Sequence, residues 1–282
     1  MSTLREKRKK ERRALRRRKT ADWTVVLILC AIAVCCGGYL IYHHWSVKQR
    51  ELEYERLRQE ETLSAATETV IAEPETEENT EETVIYCDPV YDFGQLHEQN
   101  EDIYAWIVVS GTQVDYPLLQ SGTDNYYLDY NLDHSKGYPG CIYTNQCNRK
   151  DFSDYNTVLY GHNMKNGSMF GSIHSFEDET FFDEHPYIYV YTENERLTYE
   201  IYEAAKFTDV YIPSEYVISS KDDRDQFLAD VREKVSDNKL HVREDMEIGE
   251  EDRLITLSTC VSGERNHRYL VIGVLVETAL YR

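Results

Sequence analysis

The sequence contains no CxxC pair and no HExxH segment, so neither common zinc signature is available to it. No internal repeat divides it. Basic residues run short after the first 45 positions. Residues 1–45 hold 11 Lys/Arg against 3 Asp/Glu, so of the chain totals of 31 and 51 only 20 basic but 48 acidic residues remain beyond. The local nets are +8 and −28, and the average describes neither part. Only one long uncharged run exists, Trp23–Tyr42, and no small-x-small cleavage site follows it, because Ile41–Trp45 is bulky.

That run decides the layout. Its 20 residues span about 30 Å as a helix, the thickness of the hydrocarbon core. Trp23, Tyr39, Tyr42 and Trp45 supply aromatic anchors at both ends. The basic block Arg5–Lys19 keeps the N-terminus cytoplasmic, which puts the acidic remainder outside. This reading also accounts for the cationic head without nucleic acid. The expected organisation is a basic cytoplasmic tail (1–22), a single transmembrane helix (23–42), a helical-to-disordered acidic stalk (43–87) and a folded extracellular domain (88–282). The stretch from Leu63 to Val84 is acidic, Thr-rich and poor in anything to bury.

Seven cysteines sort by position. Cys30, Cys35 and Cys36 lie in the apolar run, and Cys87, Cys141, Cys147 and Cys260 lie beyond it. A local Cys141–Cys147 pair is one option, although a domain of this size can bury a core without staples.

In the folded part, Tyr91–Ala105 has helical spacing, with Phe93, Leu96 and Ile103–Trp106 as core candidates. Short β-type runs follow at Thr112–Leu119, Gly140–Thr144, Thr157–Tyr160, Tyr187–Thr192 and Leu197–Val210, then Leu254–Thr259 and Arg268–Glu277. Such a series reads as a barrel or sandwich. One helix interrupts it, Ser220–Val235, with Ser220 and Asp223 as a capping box and Phe227, Leu228, Val231 and Val235 as its apolar stripe.

Three residues have chemical potential at strand ends. Cys260 ends LITLSTC, Arg268 opens RYLVIGVLVE after a short connection, and His162 follows the apolar strand TVLY. Each has a bland alternative: a structural thiol, a surface cap, a locally bonded histidine. A thiolate nucleophile needs a nearby base or positive charge, and a hairpin would set Arg268 beside Cys260. Arg265 is nearer in sequence but falls mid-loop.

TLSTC, an Arg opening an apolar strand, and YGHNMKNGSMF upstream together resemble the sortase family. DYPLLQ, NYYL, GCIYTN and the inserted helix resemble its class B. The resemblance implies a mainly β fold: a closed eight-stranded barrel with an N-terminal helix and one helix before the last strand pair. It implies a cysteine transpeptidase with Cys260, His162 and Arg268 as the catalytic three, and Tyr160, Ser258, Thr259 and Asn125 along the substrate groove. No cofactor or metal is implied. The implied partners are secreted proteins with an NPxTx-like sorting pentapeptide and an amine on peptidoglycan precursor or a pilin. Val261 departs from members that carry an acidic residue after the cysteine. Two rival readings stand beside this one: a cell-wall cysteine peptidase that uses water, and a non-catalytic stalked adhesin.

Overall fold

The computed structural model describes residues 2–61, 85–234 and 240–282. The chain divides into two compact units, residues 1–52 and 53–282. The described residues of the first all belong to helix α1 (Ser2–Glu61). That helix contains the one segment among the described residues long and apolar enough to cross a membrane, Val25–Gln59, whose most apolar window has a mean hydropathy of 2.5. Trp23, Val25–Leu29, Tyr39–Tyr42 and Trp45 are all exposed, as side chains meant for lipid would be.

The second unit is built on β1 (Ile85–Cys87), α2 (Phe93–Gln99), β2 (Ile103–Val109), β3 (Asp115–Leu119), α3 (Tyr126–Asp129), β4 (Ile142–Thr144) and β5 (Asn156–Tyr160). After a 3-10 helix at Gly171–Glu177 come α4 (Glu179–Glu184), β6 (Tyr187–Tyr191), β7 (Glu195–Thr208), α5 (Ile212–Glu215), α6 (Lys221–Lys234), β8 (His241–Val242), β9 (Leu254–Val261) and β10 (Glu264–Tyr281). The sheet order is β1-β10-β9-β5-β4-β3-β2-β6-β7-β8, and β10 also pairs with β7. That last pairing closes eight strands into a barrel and leaves β1 and β8 as additions outside the ring. Closure removes the open edges that an antiparallel sheet would otherwise expose.

Alternation along each strand separates two cores. Leu159, Ile255, Leu257, Tyr269 and Val271 join the larger cluster. Their neighbours Val158, Leu254, Leu270 and Ile272 face outward into a second cluster with Phe227 and Val231 of α6. Phe227 and Val231 are fully buried, and each such side chain contributes about 1.5–3 kcal/mol. The Ser220 hydroxyl accepts from Asp223 N at 3.3 Å, the first half of the expected capping box. The Asp223 carboxylate does not return to residue 220 and instead accepts from Val217 N. Val235, assigned to the same stripe, lies outside the described residues.

Two expectations change. The helix assigned to Tyr91–Ala105 ends at Gln99, and Ile103–Val109 is the barrel strand β2, paired with both β3 and β6. Asn100 makes the break, because its side-chain amide donates to the Leu132 carbonyl at 2.7 Å and to the Tyr127 hydroxyl at 3.0 Å. An unbroken apolar run gives no period by which strand and helix can be told apart. Nor does the folded unit begin at residue 88. Tyr54 and Leu57 of α1 are buried in the larger core, Tyr54 donates to the Gly140 carbonyl at 3.1 Å, and Arg58 donates to the Asp115 carbonyl at 2.7 Å. The stalk assigned to 43–87 is therefore part of the domain body over 53–61, and its acidic stretch falls outside the described residues.

Glu203 of β7 is fully buried, with one carboxyl oxygen 3.3 Å from Arg232 Nε and the other without a partner. Burial pushes its carboxyl up from the ordinary 4.5 to about 7, against the pull of Arg232. The native state therefore holds a proton that the unfolded chain has already lost. Stability is greatest below pH 4.5 on this account and falls as pH rises to 7. Glu203→Gln should flatten that slope and raise the melting temperature at pH 8. Melting curves of both proteins from pH 4 to 8 check this, and parallel slopes would contradict it.

Candidate active site

The site is assembled where three strands end. β5 and β9 run parallel, with Asn156–Tyr160 in register with Leu254–Ser258. Parallel strands deliver their C-terminal ends to the same rim, so the chain leaves Tyr160 towards His162 beside the chain leaving Ser258 towards Cys260. β10 returns antiparallel through a turn in which Gly263 has φ +83, and Arg268 is the register partner of Cys260. Thus residues far apart in sequence meet at one end of the barrel.

Cys260 is exposed and its thiol is free. By the alternation that puts Ile255 and Leu257 in the larger core, Ser258 and Cys260 face outward, as does Arg268. The Arg268 guanidinium donates through Nη1 to the carbonyls of His267 (3.0 Å) and Arg265 (3.4 Å). His162 is half-buried, and its ring lies 4.8 Å from that of Tyr138. Its Nε2 is 2.7 Å from the Leu128 carbonyl. A carbonyl only accepts, so Nε2 carries the hydrogen there and Nδ1 is left for proton exchange. Gly161 allows the chain to turn out at this point, because a Cβ on it would come within 2.8 Å of the Phe170 ring.

An aromatic and amide wall flanks the rim. Tyr160 packs against Tyr143 (5.6 Å between centroids) and Tyr211 (6.2 Å). Asn145 donates to the Tyr211 hydroxyl at 2.9 Å. The Asn125 side-chain oxygen accepts from the Tyr143 hydroxyl at 3.0 Å. The Tyr160 hydroxyl is buried and has no hydrogen-bond partner. Burial raises the pKa of all three phenols, that of Tyr211 to about 12. They remain neutral donors at any physiological pH.

Of the expected groove residues, Tyr160 and Asn125 join this wall, while Ser258 is buried at the register position of Tyr160. Thr259 does not line the groove. It is buried with its side chain toward the larger core, and its hydroxyl donates to the Gly161 carbonyl at 2.8 Å. Its period-two neighbours decide this, since an odd-numbered residue on β9 faces inward. Tyr143, Tyr211 and Asn145 were missed. Tyr143 and Asn145 lie in the GCIYTN segment, whereas Tyr211 stands in a connection with no sequence signal of its own. Asn163 and His174 were also missed as neighbours of Cys260. Cys141 and Cys147 do not pair: Cys141 is buried against Tyr54, and Cys147 is exposed with its sulfur 3.9 Å from the Tyr211 hydroxyl. No His/Cys/Asp/Glu group among the described residues is arranged to hold a metal.

The model of the Sortase domain matches residues 107–276, and that match decides the family. The chain belongs to the sortases. Sortase B of Listeria monocytogenes is 34% identical over 168 residues, which cover 58% of this chain and 65% of that relative. Sortase B of Staphylococcus aureus is 26% identical over 261 residues, covering 91% and 97%. The crystal structure of Clostridium perfringens sortase B superposes with a TM-score of 0.59 at 30% identity, covering 66% of this chain and all of that one. These relatives put the chain in class B of a family of cysteine transpeptidases, and the closed eight-stranded barrel is the sortase barrel.

The tie from Thr259 to Gly161 gives a direct test of the corrected role. Thr259→Val should lower the stability of the sortase domain by roughly 1–2 kcal/mol, because it leaves the buried Gly161 carbonyl unpaired, while Thr259→Ser should restore most of it. Denaturant midpoints report both. A change in peptide affinity without loss of stability would return Thr259 to the groove.

Proposed function

We propose that this sortase cleaves a sorting pentapeptide of NPxTx type near the C-terminus of secreted proteins and transfers the acyl group to an amine. The observation that carries the proposal is the pairing of Cys260 with Arg268 at the rim that the His162 strand also reaches. Cys260 acts as thiolate and attacks the scissile carbonyl carbon. Arg268 stabilises the oxyanion, for which its guanidinium turns from the carbonyls it now meets. The C–N bond then breaks, and His162 gives its proton to the departing amine, leaving a thioester on Cys260. An amine of peptidoglycan precursor or of a pilin subunit attacks that thioester, His162 takes the proton back, and the thiolate leaves. Each proton transfer contributes about 10²–10⁴-fold. The wall of Tyr143, Tyr160 and Tyr211, with Asn125 and Asn145, receives the peptide: rings cover its apolar parts, and the amides and neutral phenols bond its backbone.

The apolar helix and the basic block before it support a single-pass anchor with the N-terminus in the cytoplasm and the catalytic domain outside. There the enzyme shares the membrane surface with emerging substrates, which raises their effective concentration without any new contact.

The test is mass spectrometry of the purified chain with a library of sorting pentapeptides, with and without an added amine. A thioester on Cys260 that passes to the amine, and that Cys260→Ala abolishes, is the expected result. Arg268→Ala should lower kcat about 10²–10³-fold by loss of an oxyanion donor. Hydrolysis alone, with no transfer to any amine, would make the chain a peptidase, and the absence of any adduct would make it a binding protein.

A further inference from the structure

The backbone ladder between β5 and β9 ends before it reaches the proposed catalytic pair. Its last rung is Gly161 N to the Ser258 carbonyl at 3.4 Å. Beyond it Thr259 bonds the Gly161 carbonyl through its side chain. The next acceptor along β9 is the carbonyl of Cys260 itself, and no strand is left to satisfy it.

Two side chains do so instead. Asn163 Nδ2 donates to the Cys260 carbonyl at 2.8 Å, and lies 3.3 Å from Ser262 Oγ. His174 Nε2 stands 3.1 Å from the same carbonyl oxygen. The oxygen can only accept, as can Glu177 Oε1 beside Nδ1, so His174 donates on both sides only as imidazolium, and in that form the Cys260 carbonyl takes two donors. The two nitrogens are 3.0 Å apart, so a neutral His174, with its hydrogen on Nδ1 toward Glu177, accepts from Asn163 Nδ2 and holds that amide against the carbonyl. His174 is itself held on two sides. Its Nδ1 lies 2.8 Å from Glu177 Oε1, and its ring stacks on Tyr269 at 4.9 Å and 22°. Tyr269 is in turn the register partner of Thr259.

The geometry points to Asn163 and His174 as positioning residues for the nucleophile, clamping the carbonyl of Cys260 so that its thiol stays at a fixed separation from His162. This rests on Cys260 being the nucleophile, as proposed above. Asn163 directly follows His162, so its amide is a one-residue ruler between the two catalytic backbones. His174 ties the same carbonyl to the 3-10 helix, an element independent of both strands. Neither touches the peptide wall, which lies with Tyr143, Tyr160 and Tyr211. Both donors act on the geometry of acylation and not on peptide binding. An error of about 1 Å in such geometry costs on the order of a hundredfold in rate.

His174 offers a pair of substitutions that separates donation from packing. His174→Phe keeps the stack on Tyr269 and loses the donor. His174→Gln loses the stack and can put its amide nitrogen near the place of Nε2. The experiment uses the full chain in detergent micelles with a fluorogenic NPxTx pentapeptide, and follows turnover and melting temperature. His174→Phe and Asn163→Ala should each lower kcat roughly five- to thirtyfold, with the KM for the peptide within about twofold. His174→Gln should stay within about threefold of the parent kcat. The double variant Asn163→Ala/His174→Phe should lose more than the product of the two single losses, since only then is the carbonyl left bare. A parent rate for His174→Phe, or a His174→Gln as slow as His174→Phe, overturns the clamp. Should His174→Phe lose its melting transition, Asn163→Ala decides, and a parent kcat there overturns it equally. Turnover that persists in Cys260→Ala would instead overturn the nucleophile assignment.

Discussion

The parallel pairing of β5 with β9 is the constraint from which the site follows. Parallel neighbours carry their chains to the same rim, so a histidine just past one strand and a cysteine at the end of the other emerge together. A stretch of almost a hundred residues separates them, and closing so long a loop is entropically unfavourable. The closed barrel offsets that cost. β10 pairs with β9 on one side and β7 on the other, and so fixes where β9 ends as well as which residue faces Cys260. If β5 slipped by one residue against β9, every outward side chain of β5 near the rim would turn inward.

The two-residue period then assigns roles to neighbours that look alike in sequence. Ser258, Thr259 and Cys260 are consecutive small polar residues. Ser258 and Cys260 face outward and are level with Tyr160 and Arg268, while Thr259 faces the barrel interior and bonds the chain just before His162. A structural tie thus sits directly between two positions of the site. Asn163 and His174 continue this pattern, with side chains taking over where backbone pairing ends.

Chemically, the surroundings of Cys260 are of two kinds. One is the wall of stacked tyrosines and amides, neutral throughout and suited to an extended peptide. The other is an open cleft of about 530 Å³ whose lining mixes Met164 and Val261 with Asn163, His174, Glu177 and Ser262, the last four joined by hydrogen bonds to one another or to the Cys260 carbonyl.

Much of this was legible in the order of residues. The apolar run Trp23–Tyr42 declares itself because its length and lack of charge match a bilayer. Most strands show through turn residues and short apolar runs, and TLSTC, RYLVIGVL and YGHNMKNGSMF together carry the family resemblance. The strand Ile103–Val109 was hidden because a segment buried on both faces has no period to read. The burial of Tyr54 and Leu57 was hidden because an amphipathic contact made by one turn of a long charged helix leaves almost no pattern. What the sequence by itself determined is which residues are able to do chemistry and which segments must be buried, since both follow from side-chain type and local period. What only the tertiary structure decided is which of those residues meet, because strand register, barrel closure and the side chains that complete a broken ladder are relations between segments far apart in the chain.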